Sequence, residues 1–151
     1  MAATCPAGFD IARLRKQVSQ IYDRVAREPN GNFHFHRGAE YACRMLRYDP
    51  TELAIIPEES TACCAGVGNP HRIGPIVAGE TILDVGCGAG MDLLLAARRT
   101  GARGGAIGID MTPSMIERAK CAALKTGVWQ NVEIRRGRPK NCQWKAGRSM
   151  L

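Results

Sequence analysis

Residues 81–110 read TILDVGCGAGMDLLLAARRTGARGGAIGID, and within them the sequence period changes twice. TILDVG (81–86) is a short apolar run bounded by Glu80 and Gly86, suited to a strand buried on both faces. MDLLLAARRT (91–100) is long enough for a helix, with Gly101 to close it. GAIGID (105–110) returns to the short apolar run. Two strands separated by a helix must be parallel and joined by a crossover, so this stretch predicts an α/β fold.

Downstream the pattern repeats. TPSMIERAKCAALKTG (112–127) is a predicted helix with Thr112 as cap, Pro113 at its first position and Gly127 as terminator, and NVEIR (131–135) is a third strand. The result is a partial parallel sheet of about three strands, the beginning of a doubly wound arrangement. Upstream lies a helical region. Asp10 can cap a helix whose apolar residues Ile11, Leu14, Val18, Ile21 and Val25 recur at three- and four-residue steps. RGAEYACRMLRY (37–48) predicts a second helix. A third runs through DPTELAII (49–56), with Asp49 as cap, Pro50 at the first position and Glu52 in a capping-box-like place. Pro57 ends it, and residues 58–80, rich in Gly, Pro and Ala, are expected to form a long loop.

Composition narrows the class. The chain has 151 residues, enough for one domain and part of another, and its 45% hydrophobic and 23% charged content is ordinary for a globular protein. No apolar run is long enough to span a membrane, and the N-terminus lacks the basic start and apolar stretch of a secretory signal, so a cytoplasmic location is expected. Seven cysteines are then expected to be reduced, and their spacings hold no paired C-x-x-C grid for structural zinc. The net charge of +7 is concentrated at one end: Arg135, Arg136, Arg138, Lys140, Lys145 and Arg148 face no acid after position 134, leaving 15 basic against 14 acidic residues before it.

Between the first strand and helix, Gly86, Gly88 and Gly90 alternate, with Asp84 two residues ahead. A glycine turn at the carboxyl end of a strand lets a ligand approach the backbone and face the helix N-terminus. Asp110, at the end of the second strand and 20 positions beyond Gly90, can accept hydrogen bonds from both hydroxyls of a ribose. A dinucleotide site prefers G-x-G-x-x-G, whose third glycine would fall at Met91, so an NAD-type oxidoreductase is disfavoured. S-adenosylmethionine has no phosphates to cradle. Asp84 could favour its ammonium, directly or through water; the backbone of Gly86, Cys87, Gly88 and Gly90 would admit the methionyl part; Asp110 would take the ribose and Met111 pack on the adenine. Asp84 could equally cap a helix, and Met111 could belong to the core.

Residues 80–120, ETILDVGCGAGMDLLLAARRTGARGGAIGIDMTPSMIERAK, resemble the first motif and following acidic motif of class I S-adenosylmethionine-dependent methyltransferases. GIDMTPSMIERA is similar to the arsenite methyltransferase branch and its ubiquinone-biosynthesis-type relatives, and FHFHRGAEYACRML and GVGNPHRIGPIVAGE resemble the lead-in of that branch. The resemblance implies a Rossmann-like cofactor domain, S-adenosylmethionine as cofactor and a small-molecule methyl acceptor, with arsenite as a candidate. It implies no catalytic base for a lone-pair acceptor, and no catalytic residue is nominated. Arsenite methyltransferases typically carry a cysteine directly before a Gly-Asn-Pro-like turn; here that position is Val67, and the neighbouring thiols Cys63 and Cys64 are weak candidates for metalloid capture.

The expected organisation is therefore an N-terminal helical region and loop (1–70), a partial S-adenosylmethionine-binding domain (71–136) and a divergent basic tail (137–151). Relatives follow the third strand with an acid and a Leu-Pro turn, where this chain has Arg136, Arg138 and Pro139. The expectation is a C-terminally truncated enzyme lacking most of its acceptor-binding half, with an uncovered apolar edge and face on its sheet. Two alternatives stand beside it: an inactive fragment, or a nucleic-acid-binding protein using the basic tail with Trp144 to stack on a base, which is disfavoured because six charges with one aromatic are usually a solvated tail. His34 and His36 alternate but lack a third ligand nearby, and Tyr22, Tyr41 and Met45 fit core positions.

Overall fold

Asp10 begins the first helix as the sequence requires: its carboxylate accepts the Arg13 N–H at 2.9 Å, and α1 runs Ile11–Arg27. In this computed structural model Gly8, residues 10–138 and the backbone of Ser149–Met150 are described. The turn at Pro29–Gly31 is held by Arg37, whose Nε donates to the Pro29 carbonyl at 2.7 Å, and by the Arg24 and Arg37 guanidinium groups, which lie over the Phe33 ring. Next come α2 (Gly38–Leu46), ended by Arg47 in the left-handed region, and α3 (Pro50–Leu53), where Asp49 accepts from the Thr51 N–H at 2.8 Å.

The loop expected over 58–80 is not wholly loop. Its first residues form α4 (Glu58–Thr61), a single turn that starts after Pro57, carries Glu58 and Glu59 in its first turn and buries Ser60 and Thr61. A 3-10 turn at Pro70–Arg72 follows, started by the Asn69 side chain accepting from the His71 N–H at 3.0 Å.

The α/β part matches the alternation read from the sequence. In chain order it is β1 (Thr81–Val85), α5 (Met91–Thr100), β2 (Gly105–Asp110), α6 (Pro113–Thr126) and β3 (Val132–Arg136). All three strands are parallel in the order β3-β2-β1, with Asp84 opposite Gly108 and Gly108 opposite Ile134. Two crossovers stepping in the same direction put α5 and α6 on one face of the sheet. There Ile82, Ala106, Leu93, Ala96 and Ala97 form a buried cluster against which Val132 and Ile134 pack. Gly101 and Gly127 end the two helices with φ of 66° and 71°, as their positions predicted. Thr112 stands at the predicted cap position of α6, but its side chain makes no capping bond and is buried.

Two features of the sheet differ from expectation. Ser149–Met150 add a fourth, two-residue strand, β4, parallel to β1 at Ile82 and Leu83, so part of the segment read as a divergent tail joins the sheet. On the face away from α5 and α6, Leu83, Ile107 and Ile109 are 3, 5 and 1% exposed, so that face is not left bare. Lys140, Trp144, Lys145 and Arg148, on which the nucleic-acid alternative rested, lie outside the described residues.

The helical region is not a separate body. One core cluster joins Ala42, Tyr48, Leu53 and Ile56 to Met91, Leu94, Leu95, Ala122 and Ala123, and another joins Val25, Ala26 and Cys63 to Ala89 and Met115. Arg118 of α6 ties them further, donating from Nε to the Ala26 carbonyl and from Nη1 to the Glu59 carbonyl at 3.3 Å. Packing does not follow the whole apolar stripe of α1: Val25 is buried, whereas Ile11, Leu14 and Ile21 are 44, 42 and 39% exposed. Met45, expected in the core, is also exposed. Among the described residues no helix is long and apolar enough to cross a membrane.

Candidate functional site

A parallel sheet places ligands outside the carboxyl ends of its strands. Here Val85 and Asp110 end β1 and β2, and beyond them opens a cavity of about 390 Å³, within the range of small-molecule sites. It is lined by the glycine loop from Gly86 to Ala89, by Met111, Thr112 and Met115, and by Cys63–Gly66 with Val18 and Tyr22 of α1.

The loop depends on glycine in two ways. Gly86, Gly88 and Gly90 have φ of 80°, 52° and 89°, in the left-handed region that side chains disfavour. Gly90 also sits against α6, where a Cβ would come 3.1 Å from that of Ala119. Backbone bonds from Gly86 and Cys87 N–H to the Ile109 carbonyl, at 2.7 and 3.1 Å, pin the loop to β2.

Asp110 completes that attachment. One carboxylate oxygen accepts the Gly88 N–H at 3.0 Å and the other accepts the Thr112 N–H at 2.7 Å. A carboxylate has about four acceptor sites, so each oxygen keeps capacity for a ligand hydroxyl. Met111 lines the same cavity.

Of the acidic and glycine-loop residues singled out in the sequence, Gly86, Cys87, Gly88, Asp110 and Met111 all line the cavity, whereas Gly90 does not and stands as the residue before α5. Asp84 does not line it. Asp84 is buried, accepts the Leu93 N–H in the first turn of α5, and leaves Oδ2 without a hydrogen-bond partner. Burial, with the Asp92 and Asp110 charges adding, pushes its carboxyl from 3.8 up to about 7. The folded state therefore holds this proton more tightly than the unfolded chain. Its contribution to stability is full below the unfolded value and is lost as pH rises through about 7. The thermal midpoint of the ligand-free protein should thus fall between pH 5 and pH 8, and Asp84→Asn should remove that part of the slope. Parallel pH profiles of the two proteins would argue against this carboxyl as its source.

The thiols are subdued. Burial raises Cys87, with Asp84 and Asp110 adding to the shift, and burial pushes Cys64 up to about 11. Cys63 is also raised by burial, and its Sγ lies 3.8 Å from the Val25 carbonyl. Both Cys63 and Cys64 line the cavity, while Val67 is fully exposed. His34 packs edge-on to Phe35 and His36 stacks on Tyr41, and among the described residues no group of three or more His, Cys, Asp or Glu could hold a metal ion.

Sequence reasoning missed several wall residues. Asp92 lines the cavity and sits in the first turn of a helix for which no site residue was named. Tyr22, assigned to the core, is half-buried in the wall, and Tyr41, though not in the lining, supports it by donating to the Gly66 carbonyl at 3.1 Å. Gly137 and Arg138 border the site from beyond β3.

Residues 76–146 match the family model described as a methyltransferase domain. The likeness to that family runs over just under half of the chain. The resemblance read from residues 80–120 is thereby borne out, as is the Rossmann-like fold class. The chain is 41% identical over 92 residues to an arsenite methyltransferase of Halobacterium salinarum, covering 61% of this chain and 23% of that protein. It is 31% identical over 134 residues to the ribosomal protein L11 methyltransferase of Serratia proteamaculans, covering 82% of this chain and 45% of that one. Among solved structures it resembles the arsenic(III) S-adenosylmethionine methyltransferase of Chlamydomonas reinhardtii, with a TM-score of 0.51 and 32% identity over 58% of this chain and 30% of that one. The chain thus spans a quarter to a half of the length of the curated relatives it matches.

Proposed function

We propose that the cavity of this methyltransferase domain binds S-adenosylmethionine and that the chain takes part in methyl transfer to a small-molecule acceptor. The observation that carries this reading is the pair of bonds by which Asp110 joins the glycine loop to the start of α6, at 3.0 and 2.7 Å, on the wall of the cavity. In that setting Asp110 receives the ribose hydroxyls and Met111 packs on the adenine. The backbone of Gly86, Cys87, Gly88 and Gly90 borders the methionyl part, and Asp84 acts from behind through the Leu93 N–H. The helical region 1–70 and residues 71–136 line the cavity together, with Gly137 and Arg138 extending the unit.

Transfer from a sulfonium is an in-line displacement that needs alignment and exclusion of water. An acceptor with its own lone pair, such as trivalent arsenic, needs no base: the lone pair forms the bond to the methyl carbon as the carbon–sulfur bond breaks. Arsenite as the acceptor is supported by the two arsenic-methylating relatives and by two cysteines on the cavity wall. Capture exchanges an As–OH bond for an As–S bond, the thiol proton leaving in water, and the raised Cys64 thiol keeps the attacking thiolate scarce near neutral pH.

Thiol titration of the full chain tests the acceptor. Arsenite should protect two thiols in the native protein and none in the Cys63→Ser, Cys64→Ser double variant. Equal protection in both would place capture elsewhere and remove these cysteines from the reading.

A further inference from the structure

Asp92 is held by two side chains from a different part of the chain. The Tyr48 hydroxyl donates to Asp92 Oδ1 at 2.7 Å, and His71 Nε2 lies 3.1 Å from the same oxygen, outside good hydrogen-bond geometry. Tyr48 is 5% exposed and the His71 side chain 3%, with the two rings edge to face at 6.4 Å. Burial and the Asp92 carboxylate push the Tyr48 phenol upward, so it stays protonated and remains a donor.

This arrangement loads one oxygen of Asp92 and spares the other: among the described residues Oδ2 accepts no hydrogen bond. Asp92 also lines the cavity, while Asp84 does not. The second acid on the wall, Asp110, already has a backbone N–H on each oxygen. The cavity therefore contains one carboxylate with a fixed orientation and an unused oxygen, at the start of α5 beside the glycine loop. A fixed, partly desolvated carboxylate favours a cation with N–H donors.

Building on the cofactor reading above, we infer that Asp92, oriented by Tyr48 and His71, receives the ammonium of the cofactor's amino acid end. Tyr48 and His71 are positioning residues: they touch Asp92, not the ligand. Asp84, buried behind the loop, shapes the start of α5.

Calorimetric titration of the full chain with S-adenosylmethionine and with 5′-methylthioadenosine, which lacks the amino acid end, tests this assignment. Asp92→Asn should weaken S-adenosylmethionine about tenfold to a hundredfold, as expected for losing a charge-assisted bond, and leave 5′-methylthioadenosine nearly unchanged. Tyr48→Phe should weaken S-adenosylmethionine alone, by a smaller factor, and serves as the second reading should the Asp92 variant fail to fold. Equal weakening of both ligands, or no change in either, would overturn the assignment while leaving the cofactor site in place. A native protein that binds neither compound would overturn the cofactor reading and this assignment with it.

Discussion

Asp110→Ala should lower the affinity of the cavity for S-adenosylmethionine at least about a hundredfold and destabilise the ligand-free protein as well. Two losses combine. The Gly88 and Thr112 N–H groups lose the oxygens they reach at 3.0 and 2.7 Å, and Thr112 is 1% exposed, so water cannot readily replace its partner. Leaving such a donor unsatisfied costs about 1–3 kcal/mol. The ribose then loses its acceptor, at about 1.5–3 kcal/mol for a bond to a charged group. Calorimetry and urea denaturation separate the two, and Asp110→Asn, which keeps one acceptor, should fall between native and alanine in both. Native-like affinity in the alanine variant would remove Asp110 from the site.

A large stability effect is expected at Gly108, in the middle strand. A Cβ there would come 2.6 Å from Leu93 Cδ2 and 2.8 Å from Cys87 Sγ, both in the buried cluster under α5. Neither neighbour can withdraw freely, since Leu93 is wholly buried and Cys87 is fixed in the glycine loop by its bond to Ile109. Gly108→Val should therefore cost about 3 kcal/mol, the upper part of the usual range for overpacking. Gly105 is the control in the same strand, because a Cβ there meets nothing closer than 3.8 Å. Gly105→Ala should change stability by no more than about 0.5 kcal/mol. Urea midpoints decide the comparison, and equal effects at the two positions would contradict the packing described here.

The central strands and helices were legible because their signals are local. Runs such as TILDVG and GAIGID are short and apolar, and Gly101 and Gly127 sit where a helix must stop. Asp110 was legible because its distance from the glycine loop is fixed by one helix and one strand. Other features depend on tertiary placement. The period of α1 reveals an apolar face but not its partner, and only its Val25 end is buried. Four residues, Glu58–Thr61, are too few to show a helical period. Asp92 reads as an ordinary acid in a first turn; its orientation comes from Tyr48, which precedes α3, and His71, in the 3-10 turn before β1. Asp84 stood out in the sequence because it precedes the glycines, yet the strand's alternation turns it toward α5 and out of the cavity.

Titration of the full chain with S-adenosylhomocysteine, followed by heat and by thermal midpoint, tests the central claim most directly. The account predicts saturable binding at one site and a rising midpoint, since a ligand at a hundred times its dissociation constant stabilises by about 2.7 kcal/mol. A cooperative melt whose midpoint does not move, with no heat of binding, would contradict it.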